Sequence, residues 1–259
     1  QLENPNSNLA TEVYTSDGKV LGKYFYQNRV NVSYEELSPN LVNALISTED
    51  ERYYSHSGID LRGLARAVVN FGKSGGASTI TQQLAKMLFS DSPKSTWDRI
   101  KQKLQEWIIA AQLERRYTKE EIIAQYFNIY DFGNNADGIR SAARIYFGKE
   151  PKELTVKESA MLVGMFKNSS LYNPRPDKNP VGVKNRRNVV LAQMTKYGVL
   201  DQKIKDSLQK TELDLNFNPE SHNDGTATYF REYLRAFLKD WANDKKNYKA
   251  DGSKYNIYQ

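Results

Sequence analysis

From Glu35 to about Gln209 the apolar residues of this chain recur three or four positions apart, almost without a break and with no internal repeat. That spacing predicts a mainly α domain over residues 35–212. Only the first 34 residues read differently. Residues 11–14 and 20–26 are β-prone runs on either side of the turn signal Ser16-Asp17-Gly18, so a small N-terminal β hairpin is expected in an appendage spanning 1–34. Residues 31–34 read as one more short strand. Beyond the helical region, 213–226 are polar and irregular, the composition of a linker. Phe230, Tyr233, Leu234, Phe237, Leu238 and Trp241 then form an aromatic stripe at helical spacing, followed by a lysine-rich tail. Segment 213–259 is thus expected to be a linker and a helix whose stripe is covered by a further domain.

One stripe in the helical region ends against its own pattern. Ser38-Pro39 is a helix start, with the hydroxyl as N-cap and proline at the first position. Leu41, Leu45 and Ile46 follow on one face. One turn after Leu45 the next apolar position holds Glu49. A carboxylate at the end of a core-facing stripe is costly unless it is paired or hydrogen-bonded. Burial disfavours the charged form of a carboxylate, which suits proton transfer near neutral pH. Taken alone, Glu49-Asp50-Glu51 reads as a frayed helix end with solvated acids.

Further on, Gly75-Gly76 leads into Ser78, Thr79, Thr81, Gln82 and Gln83, five hydrogen-bonding side chains in six residues, with Lys86 one turn later. Ser78 is the expected N-cap of a helix beginning near Thr79. A helix N-terminus offers free N–H groups and a partial positive charge, a natural place for an anion. Gly72-Lys73-Ser74 just upstream resembles the end of a P-loop, but Ala67 stands where its first glycine belongs and a helix precedes it, so phosphate cradling of that kind is rejected.

The longest helical stretch, 96–116, carries two faces. Trp97, Ile100, Leu104, Trp107, Ile108 and Ala111 form an apolar stripe expected to pack on the core. Arg99, Gln102, Lys103 and Glu106 lie on the other side, continued by Ile109 and Leu113, as on a helix bordering a cleft. Glu106 is the second candidate carboxylate; its plainer reading is an i, i+3 ion pair with Lys103. Upstream, 61–68 is a basic amphipathic helix with Leu61, Leu64 and Val68 on one side. With Phe71 it is the expected contact with a lipid surface, unless the stripe simply packs on the core.

The net charge of +6 suits an anionic partner without selecting one. No cysteine is present, and two histidines, His56 and His222, do not make a histidine zinc site. No apolar run reaches the roughly 18 residues a membrane span needs. The chain begins at Gln1 rather than methionine, so a preceding membrane anchor is expected.

Taken in order, these stretches resemble the peptidoglycan glycosyltransferase family, the lysozyme-like domain of class A penicillin-binding proteins and their monofunctional relatives. The family pattern Glu-Asp-x-x-(Phe/Tyr)-x-x-His-x-Gly is matched from Glu49 to Gly58, including Asp50 and His56. Gly-x-Ser-Thr-Ile-Thr-Gln-Gln is complete from Gly76 to Gln83. Arg-Lys-x-x-Glu falls on 102–106, with Gln102 in place of the arginine; Arg99, one turn earlier on the same face, is its expected substitute. Later motifs match 122–128, ending at Asn128, then 142–149 and 154–164.

The resemblance implies polymerisation of lipid II on the outer face of the bacterial cytoplasmic membrane, with inversion at the donor anomeric carbon and release of undecaprenyl pyrophosphate. It assigns catalytic roles to Glu49 and Glu106, and substrate binding to Ser78, Thr79, Gln82, Gln83, Lys86, Arg99 and Lys103. Asp50, His56, Gly58 and Asn128 are given structural roles. No prosthetic group is required, no protein metal site is implied, and there is room for a divalent cation, Mg or Mn, at the pyrophosphate. The implied partners are lipid II, the growing glycan chain, the membrane surface and cell-wall synthesis proteins, without nucleic acid. A lysozyme-like hydrolase would also use a glutamate but has no need of a cationic second site. A nucleic-acid module lacks its motif here, and a sugar-nucleotide transferase lacks its glycine-rich turn after a strand. Ser-x-x-Lys occurs at 16–19 and 207–210 without the other transpeptidase motifs, so this segment is expected not to react with penicillin and to be joined to a transpeptidase domain.

Overall fold

A computed structural model describes residues 11–18, 20–24, 30–69, 78–89, 95–218 and 228–255. Among them are ten α-helices and one two-stranded sheet, as the spacing predicts. Strand β1 (Thr11–Tyr14) pairs antiparallel with β2 (Val20–Tyr24), Thr11 opposite Tyr24. The helices are α1 (Pro39–Glu49), α2 (Leu61–Val69), α3 (Ile80–Phe89), α4 (Thr96–Arg116) and α5 (Lys119–Ile129). They continue with α6 (Gly138–Phe147), α7 (Val156–Met165), α8 (Pro180–Lys196), α9 (Gln202–Lys210) and α10 (Thr228–Asn243). None among the described residues is long and apolar enough to cross a membrane.

The core forms where α1 lies against α7 and α8. Leu41, Ala44 and Leu45 of α1 are fully buried among Leu162 and Val163 of α7 and Val190 and Leu191 of α8. Ser38 caps α1 and Pro39 opens it; Thr118 and Thr155 build capping boxes with Glu121 and Glu158 at the starts of α5 and α7. Each satisfies N–H groups that a helix start leaves without partners. On the far side α3 packs against α4 and α5. A cavity lined by residues of α1, α3, α4 and α5 opens where these two packings meet.

Four local expectations change. Residues 31–33 form no strand: the backbone of Val32 is satisfied by a side chain, donating to Asn128 Oδ1 and accepting from its Nδ2, both at 2.9 Å. An amide side chain thus replaces the neighbouring strand, and the chain turns into a 3-10 segment at Tyr34–Glu36. Helix α8, whose apolar spacing alone predicts a helix over about 186–197, starts already at Pro180, because Asn179 caps it through Gly182 N–H. The stretch 213–218, expected to open a linker, lies on the helical domain: Asn216 and Asn218 donate to the carbonyls of Tyr146 and Ile145, and Phe217 stacks on Tyr146. Residues 219–227 lie outside the described residues.

The fourth concerns α4. The stripe expected in the core faces outward, with Trp97 74%, Ile100 48%, Leu104 53% and Ile108 60% exposed. The buried positions of α4 are Glu106, Ala110 and Leu113, on the opposite face. Periodicity identifies a face that avoids water, not what covers it. On α10 the aromatic residues Phe230, Tyr233, Phe237 and Trp241 are exposed as well.

Candidate active site

Helix α1 delivers Glu49 at its last residue, half-buried, into a cavity of about 930 Å³. From α3, Gln83 donates through Nε2 to Glu49 Oε2 at 3.0 Å, and the Tyr126 hydroxyl of α5 donates to Gln83 Oε1 at 2.9 Å. Arg99, Gln102, Lys103 and Glu106 of α4 line the cavity together with Ser78 and Lys86. Its apolar lining comes from Met87, Tyr130 and Phe166. A base candidate and a cationic wall therefore share one space, although their residues are up to 57 positions apart in the chain.

The turn after Glu49 explains how the carboxylate is held there. At Asp50 the backbone leaves the helix, and its buried side chain accepts from His56 Nε2 at 3.0 Å and from the Ile80 N–H at 3.1 Å. Ile80 opens α3, so Asp50 also meets the positive end of that helix. One acid thereby ties the end of α1 to the start of α3 and sets Glu49 beside Gln83. His56 is braced a second time, its carbonyl accepting from Lys119 Nζ at 2.8 Å. Gly58 has φ +86°, and a Cβ there would stand 2.9 Å from the Ala110 carbonyl oxygen. Only glycine allows that left-handed backbone so close to α4. Asp50, His56, Gly58 and Asn128 thus all make close contacts with backbone elsewhere in the fold.

The start of α3 differs from expectation in detail. Its N-cap is Thr79, not Ser78: Thr79 Oγ1 accepts from Gln82 N–H at 3.1 Å, while Gln82 Oε1 accepts from Thr79 N–H at 3.3 Å. Thr79 Oγ1 also donates to the Gly58 carbonyl at 2.7 Å. Buried and committed to these bonds, Thr79 does not line the cavity, so the substrate-binding role expected of it is not supported. Gln82 lines the cavity while its carbonyl oxygen closes the capping box. Ser78 is released from capping and accepts instead from Lys103 Nζ at 2.9 Å.

Lys103 also donates to Glu106 Oε2 at 2.9 Å. The i, i+3 pair offered as the plainer reading of Glu106 is therefore formed, yet it is formed inside the cavity, with Glu106 only 4% exposed. Arg99 and Gln102 line the same space, so the cation one turn before the motif position reaches the wall where the family's arginine is missing. Among the described residues no group of three or more metal-ligating side chains occurs.

Sequence reasoning missed the aromatic side of the site. Phe166, just past α7, is met by Tyr126, Phe127, Tyr130 and Phe132 at ring-centroid distances of 4.5 to 5.7 Å. Tyr130 donates to the Met165 carbonyl at 2.7 Å, and burial pushes its pKa up to about 12. Tyr126 reads in the sequence as one more apolar position of its helix. The available signal was its hydroxyl, which must find a partner once buried.

Residues 17–195 match the family described as Transglycosylase. The chain is 34% identical over 239 residues to penicillin-binding protein 1A of Pseudomonas aeruginosa, covering 91% of this chain and 28% of that protein. It is 36% identical over 242 residues to penicillin-binding protein 1F of Bacillus subtilis, covering 91% of this chain and 32% of the relative. Against penicillin-binding protein 1A of Haemophilus influenzae identity is 39% over 207 residues, 78% of this chain and 23% of that protein. The chain thus spans between about a quarter and a third of the length of these relatives. With most of its length matched, and with Glu49 and the cationic wall of α4 meeting in one cavity, the chain belongs to the transglycosylase family, the peptidoglycan glycosyltransferase domain of class A penicillin-binding proteins.

Proposed function

We propose that this chain polymerises lipid II into glycan strands in the cavity between α1, α3 and α4. The observation that carries the reading is the single space shared by Glu49 and by Lys86, Arg99 and Lys103. The 4-hydroxyl of the acceptor sugar is a poor nucleophile until a base within hydrogen-bond reach takes its proton. Glu49 is that base, oriented by Gln83. The hydroxyl oxygen bonds to the donor's anomeric carbon from the face opposite the leaving group, which inverts the configuration. The bond to pyrophosphate breaks, and undecaprenyl pyrophosphate departs with the electron pair. Lys86, Arg99 and Lys103 offset the charge that develops there, in a partly water-excluded space where such charges act strongly.

Glu106 keeps Lys103 aimed into the cavity through their 2.9 Å contact. A bound divalent cation would add positive charge at the pyrophosphate. Glu106, the buried carboxylate of the cavity, would help hold it together with the substrate's pyrophosphate, the kind of mixed site magnesium takes. A hydrolase acting on finished glycan, which has no pyrophosphate to leave, has no use for three cations in the same cavity as its base, and no contact in the cavity favours that reading.

The membrane side of the reading rests on α4. Its cleft face carries Arg99, Lys103 and Glu106, and its opposite face shows Trp97, Ile100, Leu104 and Ile108 to solvent. A lipid surface covering that stripe would bring the cavity beside the bilayer in which the substrate's tail stays, on the outer side of the cytoplasmic membrane. On this reading the membrane contact lies chiefly on α4. Of the stripe expected for α2, Leu61 is exposed and Leu64 half-buried; the Val68 side chain and Phe71 lie outside the described residues.

The test is incubation with lipid II and, separately, with finished glycan, the products being resolved by electrophoresis. Polymer from lipid II and no cleavage of glycan are expected. Glu49→Gln should lose at least about 100-fold in rate, the usual worth of a general base, while melting as the wild type does. Retention of a tenth of the wild-type rate removes Glu49 as the base, and release of fragments from finished glycan replaces this reading with hydrolysis.

A further inference from the structure

Gln83 is an amide with a donor end and an acceptor end, and its orientation decides what Glu49 meets. With Nε2 toward the carboxylate, as found, Glu49 accepts a hydrogen bond that fixes the direction of its carboxylate. With the carbonyl end reversed toward it, only a protonated Glu49 could make the contact. We infer that Tyr126 is a positioning residue for this reaction: its buried hydroxyl, by donating to Gln83 Oε1, locks the amide in the orientation that keeps Glu49 competent as a base. The inference rests on the proposed role of Glu49.

The surroundings of Tyr126 make the lock one-directional. Its side chain is only 1% exposed, and Gln83 is the one acceptor its hydroxyl has among the described residues. Reversing the amide would turn the hydroxyl from donor to acceptor and leave its proton buried without a partner, which costs free energy. Burial, and then the negative charge of Glu49, keep the phenol protonated far above its ordinary range, so the donor is present at every working pH. The other titratable groups facing Glu49 across the cavity are Lys86 of α3, Arg99, Lys103 and Glu106 of α4, and Tyr130 after α5. Helices α7 and α8, packed against α1, place no charged side chain in it. None of these groups touches Gln83 Oε1, so the orientation of the amide is left to Tyr126.

The experiment is steady-state lipid II polymerisation by the wild type, Tyr126→Phe, Gln83→Ala and the double variant, with Glu49→Gln beside them. Tyr126→Phe removes only the hydroxyl that fixes the amide, so kcat should fall roughly tenfold while KM for lipid II stays near that of the wild type. Gln83→Ala should lower kcat by a similar factor, which keeps the test alive if Tyr126→Phe folds poorly. The double variant should fall no further than Gln83→Ala, because Tyr126 acts only through Gln83. An unchanged kcat in Tyr126→Phe, a loss confined to KM, or additive losses in the double variant would overturn the inference. An active Glu49→Gln would instead overturn the proposed function, and this inference with it.

Discussion

Helices α1 and α4 each carry an apolar stripe and each bring a glutamate to the same cavity, yet their stripes end in opposite environments. The stripe of α1 is the middle of the core, closed between α7 and α8, and its glutamate is reached by continuing along that stripe. The stripe of α4 faces out, and its glutamate comes from the reverse side, buried against the rest of the protein. The proposed base is thus fixed to a helix closed in the core, while the cations proposed to meet the leaving group sit on a helix with its back to the outside. A reaction that joins a sugar to a lipid-bound donor needs that division. The proton acceptor requires a fixed position, and the pyrophosphate, tied to its lipid, must be met beside the bilayer.

The comparison breaks most visibly in stability. Leu45→Ala empties a fully buried site in α1 and should cost about 2–5 kcal/mol. Leu104→Ala on the outward stripe of α4 should stay within about 0.5 kcal/mol of the wild type. Denaturant unfolding of the two variants checks the pair. Similar losses would mean that the α4 stripe is covered by protein after all, and would remove the reason for facing it to a membrane.

The second change sharpens the same contrast on lipid. Burying one such side chain in an apolar medium is worth about 1.5–3 kcal/mol, so the double change Leu104→Asp, Ile108→Asp should lower binding to anionic vesicles at least about tenfold in flotation. Its melting temperature should hardly move. Leu61→Asp, on the exposed start of α2, should do less. Equal flotation of wild type and the α4 variant would return the membrane contact to α2.

How much of this was legible in the sequence follows the same division. The start of α1 was legible because its chemistry is local: the Ser38 hydroxyl, just before Pro39, satisfies an N–H within its own turn. Glu49 was legible because a charge broke an apolar pattern. The side of α4 that is buried was not legible, since 3.6-residue spacing is the same whether protein or lipid covers it. The Asn128 side chain replacing a strand at Val32, and the Arg187 side chain deep beneath α9, are contacts across long sequence separations that no window reveals. Arg187 is fully buried and donates to the carbonyls of Leu208, Thr211 and Glu212 at 3.0 to 3.2 Å, holding the end of α9 and the turn after it. Tyr126 escaped for a different reason: its ring obeys the apolar pattern, and only its hydroxyl belongs to the site.

The smallest expected effect lies on the cleft face of α4 itself, where Gln102 stands in the position of the family's arginine. Arg99 and Gln102 both line the cavity, one turn apart, but only Arg99 brings a charge. An exposed cation acting on a diphosphate through partly open solvent is worth about 1 kcal/mol or less, so Arg99→Ala should lower kcat/KM for lipid II several-fold. Gln102→Ala should change kcat/KM by less than about twofold, the range of a surface substitution with no charge removed. Salt separates the two further. The Arg99 contribution is screened as ionic strength rises, so the gap between wild type and Arg99→Ala should close in high salt, whereas any effect at Gln102 should persist. Equal, small and salt-independent effects at both positions would mean that Arg99 does not replace the missing arginine, leaving Lys86 and Lys103 as the cations that meet the leaving group.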